Sequence, residues 1–441
     1  MNQIKLMNRN RKRTRHLKVA GACCGVMVGS TMLMNGQSAT SSVTDTNRLG
    51  KLEKENQELQ RRLDTLEALA QKEGLLPSGK KADPPISAMS ELTLSGFVTT
   101  SYFHDSSDPP GHISPGYLWN RHTDSFDLNK IKVTLASPPV ENNGEKFDAG
   151  FRVSLIAGND APLVNTGSGT TGFDLVREAF IELNIPIGTG LDVRAGELIS
   201  LLNYESGDGG AVNANFSQGW QWYLTGNPPD AGVQLSYNFT DWLKATFRIQ
   251  NGLYAGPNAF GSGQTMLGAI GLKPMKDLWF SLIAFGGREQ APFVQSLWGA
   301  SLLGGWQATE KLGFGTELDY FNFHNAAGLT GDAPVWSTGF WGTYDFCKKI
   351  GVAVRAEYLS DTDGADAAHL GVGAGPGFAQ FLNPVGTGQD LTSVALTLNY
   401  KPIPSIKIQP EIRWDHTSWA GGFVPGKQNR IIYGAGVSYL F

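Results

Sequence analysis

From Glu91 to the C-terminus, apolar and polar residues alternate with a period of two in segments of about ten residues. In FDAGFRVSLI, every second residue from Phe147 to Leu155 is apolar, whereas Arg152 and Ser154 lie on the opposite face. The same alternation runs through GVQLSYNF, WLKATFRIQ and IKIQPEIRWD. Repeated amphipathic strands of this length are typical of a membrane β-barrel. A soluble β-sandwich is the alternative, but it would have shorter strands with more even connections.

The connections between these segments alternate in length, which favours the barrel. Short connections such as NFTD and ATEK are followed by long polar segments such as 201–230 and 361–390. Outer-membrane barrels have short turns at one end and long loops at the other. If GWQWYLT (219–225) is part of the long third loop, we predict an all-β transmembrane antiparallel barrel of about 16 strands over residues 91–441. Both termini would then lie on the short-turn, periplasmic side.

Aromatic residues flank several of the predicted short turns, as expected of the interfacial girdles of a barrel. The chain ends in IIYGAGVSYLF, with an apolar or aromatic residue at every second position up to the last one. This ending, with Tyr439 and the terminal Phe441, resembles the sorting signal that the barrel-assembly machinery recognises. The predicted girdle residues are Tyr237, Phe239, Trp242, Trp279, Phe280 and Trp306.

The beginning of the chain has the pattern of a secretory signal. Residues 1–18 contain seven Lys or Arg and no acid, and an apolar stretch, Val19–Leu33, and small polar residues follow. We predict a signal peptide over residues 1–39, because the apolar stretch is too short to span a bilayer. Its removal would change the net charge from −4 to −11, which argues against nucleic acid as a partner. Only Cys347 would remain of three cysteines, so a disulfide scaffold is excluded.

A strict heptad pattern predicts an α-helical coiled coil over residues 47–73, followed by a Pro/Gly linker over 74–90. A helix of this length is marginal alone in water, so its apolar seam needs partner helices. Arg62 and Glu67 flank the seam in an order that resembles three-stranded coiled coils, which predicts a homotrimer. Asn56 in the seam departs from that pattern, and a solvated charged helix is the alternative. The predicted oligomerisation residues are Leu49, Leu52, Asn56, Leu59, Arg62, Leu63, Leu66 and Glu67.

Three segments of the predicted barrel resemble a known family. LTLSGFVTTSYF (92–103), LVREAFIELNIPIGTGLDVRAGELI (175–199) and AGVQLSYNF are similar to the putative β-barrel porin (OmpL-like) family of bacterial outer-membrane porins. The resemblance covers about residues 92–441. It implies a barrel in the outer membrane of a Gram-negative-type cell, in contact with outer-membrane lipid, with the coiled coil in the periplasm. Carbohydrate-selective and phosphate-selective porins are neighbouring possibilities.

The polar strand faces should line the lumen of such a barrel. Mixed charge there would orient dipolar solutes and set ion preference, or it would only hydrate and pair. By the resemblance to porins whose third loop folds inward, Glu205 and Asp208 are candidate constriction acids that face a basic wall. Trp220 and Trp222 would form an aromatic track for sugars or pack the loop against the barrel. The predicted pore-lining residues are Arg152, Arg194, Lys244, Arg248, Arg355, Glu357, Lys407, Glu411 and Arg413.

The predicted function is an outer-membrane porin that allows passive diffusion of small hydrophilic solutes through a water-filled lumen. One alternative is a structural protein whose coiled coil tethers the membrane to peptidoglycan or an S-layer, and another is a hydrolase at the barrel rim. No Ser, His and acid spacing proposes a catalytic set, so we predict no enzyme. No cofactor or metal is predicted, because the acids of 360–369 lack the distal Glu of a calcium loop. The net charge of −11 leans weakly towards cation preference.

Overall fold

The computed structural model describes residues 92–165, 175–225, 229–253, 263–289, 295–326, 328–365, 384 and 386–441. The chain divides into Met1–Ser90 and Glu91–Phe441, and every described residue belongs to the second unit. The predicted signal peptide, coiled coil and linker therefore lie outside the described residues.

Sixteen antiparallel strands close into one barrel, in which each strand pairs with its neighbours in the chain and β1 pairs with β16. This confirms the predicted barrel and its strand number. The structure has the short helix α1, Ala161–Val164, and the short helix α2, Trp220–Thr225. Because α2 lies in the segment GWQWYLT, this segment is part of a long loop and does not add a seventeenth strand. The strands are β1 Thr93–Asp105, β2 Ser125–Ala136, β3 Asp148–Ala157, β4 Val176–Ile185, β5 Leu191–Leu198, β6 Asp230–Asn238, β7 Leu243–Gln250, β8 Thr265–Met275, β9 Leu278–Arg288, β10 Ser296–Gln307, β11 Leu312–His324, β12 Asp332–Cys347, β13 Ile350–Asp361, β14 Gln389–Tyr400, β15 Ile406–Thr417 and β16 Asn429–Leu440.

The period-two pattern corresponds to the two faces of the barrel wall. On β6 and β7, Val233, Leu235 and Phe247 are exposed on the outer face, whereas Gln234 and Arg248 are buried on the inner face. This is the reverse of a soluble protein, and it is the arrangement expected of a barrel whose outer face contacts lipid. In the part of the chain that the structure describes, no helix is long and apolar enough to cross a bilayer, a finding that does not concern strands.

The barrel closes where the last strand meets the first. Phe97 pairs with Leu440 at one end of this seam, and Asp105 lies near its other end. The Gly96 N–H donates to the Phe441 carbonyl at 2.9 Å, and the Phe441 N–H donates to the Gly96 carbonyl at 3.0 Å. The last residue of the chain is therefore part of the closure, which leaves no free sheet edge.

A β-bulge places two consecutive charged residues on the inner wall. Ser154 of β3 pairs with Glu178 of β4, but the next residue, Leu155, pairs with Val176, so that Arg177 is the extra residue. Both Arg177 and Glu178 are buried. A strict alternation cannot assign both residues to one face, and a bulge of this kind redirects one side chain inwards.

The outer aromatic girdle includes fewer residues than the sequence predicts. Phe239, Trp242 and Trp306 are exposed on the outer surface, but the expectation is wrong for Trp279, which is buried inside the barrel. The Trp279 ring packs against β10 at Gly305, where a Cβ would lie only 2.5 Å from the indole nitrogen. Because glycine has no side chain, this position leaves the space that the inward ring occupies.

The barrel interior near the long loops contains a hydrophobic core. Inner-face residues of β8 to β14 pack there against residues of the long connections, and all of them are almost fully buried. These contacts attach the loops to the wall, because separating them would expose the apolar surface. The core includes Leu267, Ile283, Phe285, Leu297, Phe321, Phe323, Val335, Leu359 and Leu391 of the wall, and Leu202, Trp220, Leu253 and Phe423 of the connections.

Candidate functional site

In the long connection between β5 and β6, residues 199–225 fold into the barrel, and we call this segment the inward loop. Glycines on both surfaces allow the close approach of loop and wall. A Cβ at Gly436 of β16 would lie 1.9 Å from the Phe216 ring, and a Cβ at Gly219 would lie 2.1 Å from a carboxylate oxygen of Glu357. Larger residues at these positions would force the loop away from the wall.

Carboxylates of the barrel wall hold the backbone N–H groups of the inward loop. Glu411 on β15 accepts hydrogen bonds from the backbone nitrogens of Phe216, at 2.7 Å, and Ser217, at 3.1 Å. Glu357 on β13 accepts one from the backbone nitrogen of Trp220 at 3.1 Å. Hydrogen bonds to charged groups are stronger than neutral ones, so these two acids are strong anchors.

Cationic side chains of the same wall hold the loop carbonyls. Arg355 on β13 donates to the carbonyl oxygens of Ser217, at 2.7 Å, and Gln218, at 3.0 Å. Lys407 on β15 donates to the carbonyl of Gly210 at 2.7 Å. The wall therefore binds main-chain atoms of the loop. Its acids accept hydrogen bonds from loop N–H groups, and its cations donate hydrogen bonds to loop carbonyls.

Arg413 joins the inward loop to a second long connection. Its guanidinium donates to the Gln218 carbonyl and pairs with Asp415 at 2.6 Å. It also lies over the rings of Tyr117, at 4.6 Å, and Trp220, at 5.1 Å. Tyr117 belongs to the β1–β2 connection, so one buried cation fixes two loops at the same point.

The loop acid Asp208 binds the basic wall of β2 and β4. Its carboxylate lies 2.6 Å from the Lys132 ammonium and 3.3 Å from the Arg177 guanidinium. Burial acts to raise the pKa of Asp208, but the two cations outweigh it and hold this pKa well below its usual range. Asp208 is therefore a buried anchor of the loop.

The loop acid Glu205 binds the opposite side of the barrel. Its carboxylate accepts hydrogen bonds from Arg355, at 2.8 Å, and from the Trp341 indole, at 3.1 Å, and it is also buried. The two acids thus reach walls on different sides of the lumen, so that the loop is fixed across the barrel.

Tyr204 is a loop contact that the sequence analysis did not identify. Its ring lies 4.6 Å from the Trp341 ring and 6.4 Å from the Trp279 ring, between centroids, and its backbone nitrogen donates to Glu317 at 2.7 Å. A Cβ at Gly315 would lie 2.1 Å from the tyrosine ring. Burial raises the pKa of Tyr204 to about 12. The available signal was the glycine at an inner-face position of GFGTE, which leaves room for a ring.

Trp220 and Trp222 are almost fully buried, at 1% and 5% exposure. Trp220 stacks on Phe423 of the last long connection at 6.3 Å, and Trp222 contacts Trp119 edge-on at 4.6 Å. Both indoles therefore pack the inward loop against other connections, which corresponds to the packing alternative and leaves no open aromatic track at these two residues.

On the other side of the lumen, Arg152, Arg194 and Lys244 of β3, β5 and β7 remain partly exposed on the inner face. Arg152 pairs with Glu178 at 2.6 Å, and Arg194 pairs with Glu182 at 2.6 Å. These side chains lie within a few residues of the turns at the short-turn end of the barrel.

Arg248, four residues further along β7 than Lys244, is buried. It donates to the Gln234 side chain at 2.7 Å and to the Ile199 carbonyl at 2.9 Å. Of the nine predicted pore-lining residues, Arg355, Glu357, Lys407, Glu411 and Arg413 hold the central part of the inward loop, Arg248 binds Gln234 and the Ile199 carbonyl at the base of that loop, and Arg152, Arg194 and Lys244 remain partly exposed on the inner face.

The barrel corresponds to a known protein family. A family model described as Putative beta-barrel porin-2, OmpL-like, matches residues 91–441. The chain belongs to this porin family. Family membership and the closed barrel together identify an outer-membrane porin in general terms.

Solved structures resemble this porin in fold. They include an anion-selective porin from Comamonas acidovorans, with a TM-score of 0.52, 12% identity, and 79% of this chain and 99% of that chain covered. The trimer form of in-vitro folded OmpT from Vibrio cholerae has a TM-score of 0.50, 12% identity, and 79% and 99% coverage. At these identities the likeness shows the fold alone. A comparison with curated protein sequences gave no match. Within the described ranges of the porin, no group of three or more His, Cys, Asp or Glu side chains could hold a metal ion.

Proposed function

We propose that this porin allows small hydrophilic solutes to diffuse passively through the barrel, past the inward loop. The observation that carries the proposal is the inward loop itself, whose backbone is held to β13 and β15 by Glu357, Glu411, Arg355 and Lys407 and whose Asp208 binds Lys132 and Arg177 on the opposite side. A loop that is fixed at both sides narrows the lumen and so limits the size of the solutes that can pass. Passage through such a channel needs no energy source and no covalent step.

The polar inner wall of β3 to β7 supports a path on one side of the loop. Phe180, Glu182 and Arg194 are partly exposed there, whereas inner-face groups of β13 to β15 such as Arg355 and Glu411 are buried under the loop. Solutes would pass between the loop and this open wall, where water can hydrate them throughout.

Solute flux into liposomes tests this function. The purified full chain should accelerate the entry of small uncharged sugars, with a rate that falls steeply as the sugar grows. Folding of the same sample is checked by its altered migration after heating in SDS. A folded barrel that admits sugars no faster than protein-free liposomes would contradict the proposal.

We also propose that the coiled coil, with Leu59, Leu63 and Leu66 in its seam and Arg62 and Glu67 beside it, holds three chains together in the periplasm. The heptad pattern supports this, and one structural neighbour, in-vitro folded OmpT from Vibrio cholerae, is described as a trimer form. The mass of the full chain in detergent should be that of a trimer, and deletion of residues 47–73 should weaken the assembly. Co-sedimentation with peptidoglycan would instead favour the tethering role.

Tyr439 and Phe441 are proposed as the signal for the barrel-assembly machinery. Both side chains are exposed on the outer face, and the Phe441 backbone completes the seam between β16 and β1. An aromatic residue at the last position is thus accessible for recognition before closure and is used structurally after it.

A further inference from the structure

The charges that remain accessible inside the barrel are concentrated near the short turns of β3 to β7. Side chains of Arg152, Arg194 and Glu182 are 23%, 30% and 23% exposed, and Lys244 is partly exposed as well. We call these four residues the vestibule charges. Each lies on the inner face, because Arg194 pairs across the strands with Glu182 and Lys244 shares the face of buried Arg248.

Among the other carboxylates of this wall, Asp148 at the start of β3 is partly exposed on the same inner face, whereas the two acids closest to the cations are buried behind them. Glu178 is 3% exposed and lies 2.6 Å from Arg152, and Asp192 is 5% exposed and lies 3.5 Å from Arg194. A buried acid that is paired with a cation leaves the cation as the group nearest the water. The described ion pairs do not include Lys244, whose charge is therefore the least compensated of the three.

The inward loop adds no accessible charge to this space. Its two acids, Glu205 and Asp208, are buried and paired with Arg355 and Lys132. The partly exposed residues in the first part of the loop are all uncharged, namely Ile199, Ser200, Leu201, Asn203, Tyr204, Ser206, Val212 and Ala214. An ion beside the loop would therefore meet cations on the wall and no carboxylate on the loop.

We propose that the vestibule makes this porin selective for small anions, such as chloride, phosphate and short carboxylates, although the mature chain carries a net negative charge. This inference rests on the proposed diffusion function. Ion preference is set mainly by the charges that face the path, because salt screens charges more than about one Debye length away, roughly 8 to 10 Å at ordinary ionic strength. Water-excluding walls also focus the field of the facing charges into the lumen. The charges that face the path are three accessible cations and two accessible acids, Glu182 and Asp148, so that cations predominate there.

Reversal potentials of the full chain in a planar bilayer test the inference. In a tenfold KCl gradient, the sign of the potential should correspond to chloride passing faster than potassium. Lys244→Met and Arg194→Gln should each lower the chloride-to-potassium permeability ratio by roughly two- to fivefold, since each removes one charge close to the path. Glu182→Gln should raise it. Lys349→Met, in the exposed β12–β13 turn, is the matched control and should leave the ratio unchanged.

The outcomes separate the two proposals. Conductance steps with equal or cation-favouring permeability would overturn anion selectivity and leave the diffusion function intact. An anion preference that is unchanged in the double variant Lys244→Met/Arg194→Gln would overturn the assignment to the vestibule. A folded, heat-modifiable sample without any conductance would instead overturn the diffusion function. Variants are compared only when they show the heat-modifiable migration of the wild type.

Discussion

Replacement of Arg355 by methionine should release the inward loop. The guanidinium donates to the carbonyls of Ser217 and Gln218, and it lies 2.8 Å from Glu205 and 2.9 Å from Glu357. Arg355→Met therefore removes both carbonyl bonds and leaves two buried carboxylates without this cation. Loop displacement admits water to those carboxylates, so the variant should favour it.

The size of the effect follows from the burial of the pair. Breaking a buried ion pair by removing one partner costs about 3–5 kcal/mol. If loop displacement relieves this cost, the ratio of anchored to displaced loop falls roughly 100- to 4,000-fold, since about 1.4 kcal/mol corresponds to tenfold. Glu205→Gln/Arg355→Met should partly restore the anchored state, because one of the two carboxylates is then neutral.

Single-channel recording is the assay. The Arg355→Met channel should have a larger mean conductance and frequent transitions between levels. Arg248→Met is the matched control, because Arg248 is also buried but its partners are neutral, namely the Gln234 side chain and the Ile199 carbonyl at the base of the loop, away from the Ser217 and Gln218 carbonyls that Arg355 holds. Its effect should be small, on the order of one neutral hydrogen bond. Wild-type conductance and noise in the Arg355→Met channel would refute the anchoring argument.

Three further predictions concern the loop and the seam. Gly436→Val should displace the loop and raise the single-channel conductance, since a Cβ at this position would lie 1.9 Å from the Phe216 ring. Gly268→Ala is the control and should behave as wild type, because a Cβ there would have nothing within 4 Å, and equal conductance of the two variants would contradict the prediction. Folding lowers the pKa of Asp208, so its anchor contributes stability above the unfolded pKa of about 3.9 and loses it only as pH falls through the lower folded value. The contribution of the Asp208 anchor to the conductance should therefore stay constant between pH 7 and about pH 4.5. Asp208→Asn should show a displaced loop at both pH values, and an acid-induced change that Asp208→Asn abolishes would refute the assignment. Deletion of Phe441 removes two backbone hydrogen bonds of the seam and should reduce the heat-modifiable fraction in outer membranes, and a normal fraction would count against the assembly role.

The barrel was predictable from the sequence because the alternation of apolar and polar residues within one strand assigns each residue to the outer or the inner face. Alternation such as that of GVQLSYNF needs no knowledge of distant residues, and Val233, Gln234 and Leu235 lie on the expected faces. The bulge at Arg177 and the inward ring of Trp279 were not predictable in this way. One depends on the partner strand, and the other depends on a glycine of β10 that makes space.

The role of the charged residues was predictable only in part. The inner-face position of Arg355, Lys407 and Glu411 follows from periodicity, but their partners are main-chain atoms of residues more than 130 positions away. Main-chain donors and acceptors are the same for every residue type, so the sequence carries no sign of this contact. Net charge counts buried acids such as Asp208 equally with exposed ones, so it does not report the charge that faces the lumen.

The central claim is that this barrel is an open diffusion channel beside an anchored loop, and single-channel recording of the purified wild-type chain tests it most directly. The account predicts stepwise conductance that is stable in time, as expected of a loop held at both sides of the lumen. A folded, heat-modifiable sample that inserts into planar bilayers and shows no conductance steps would contradict it.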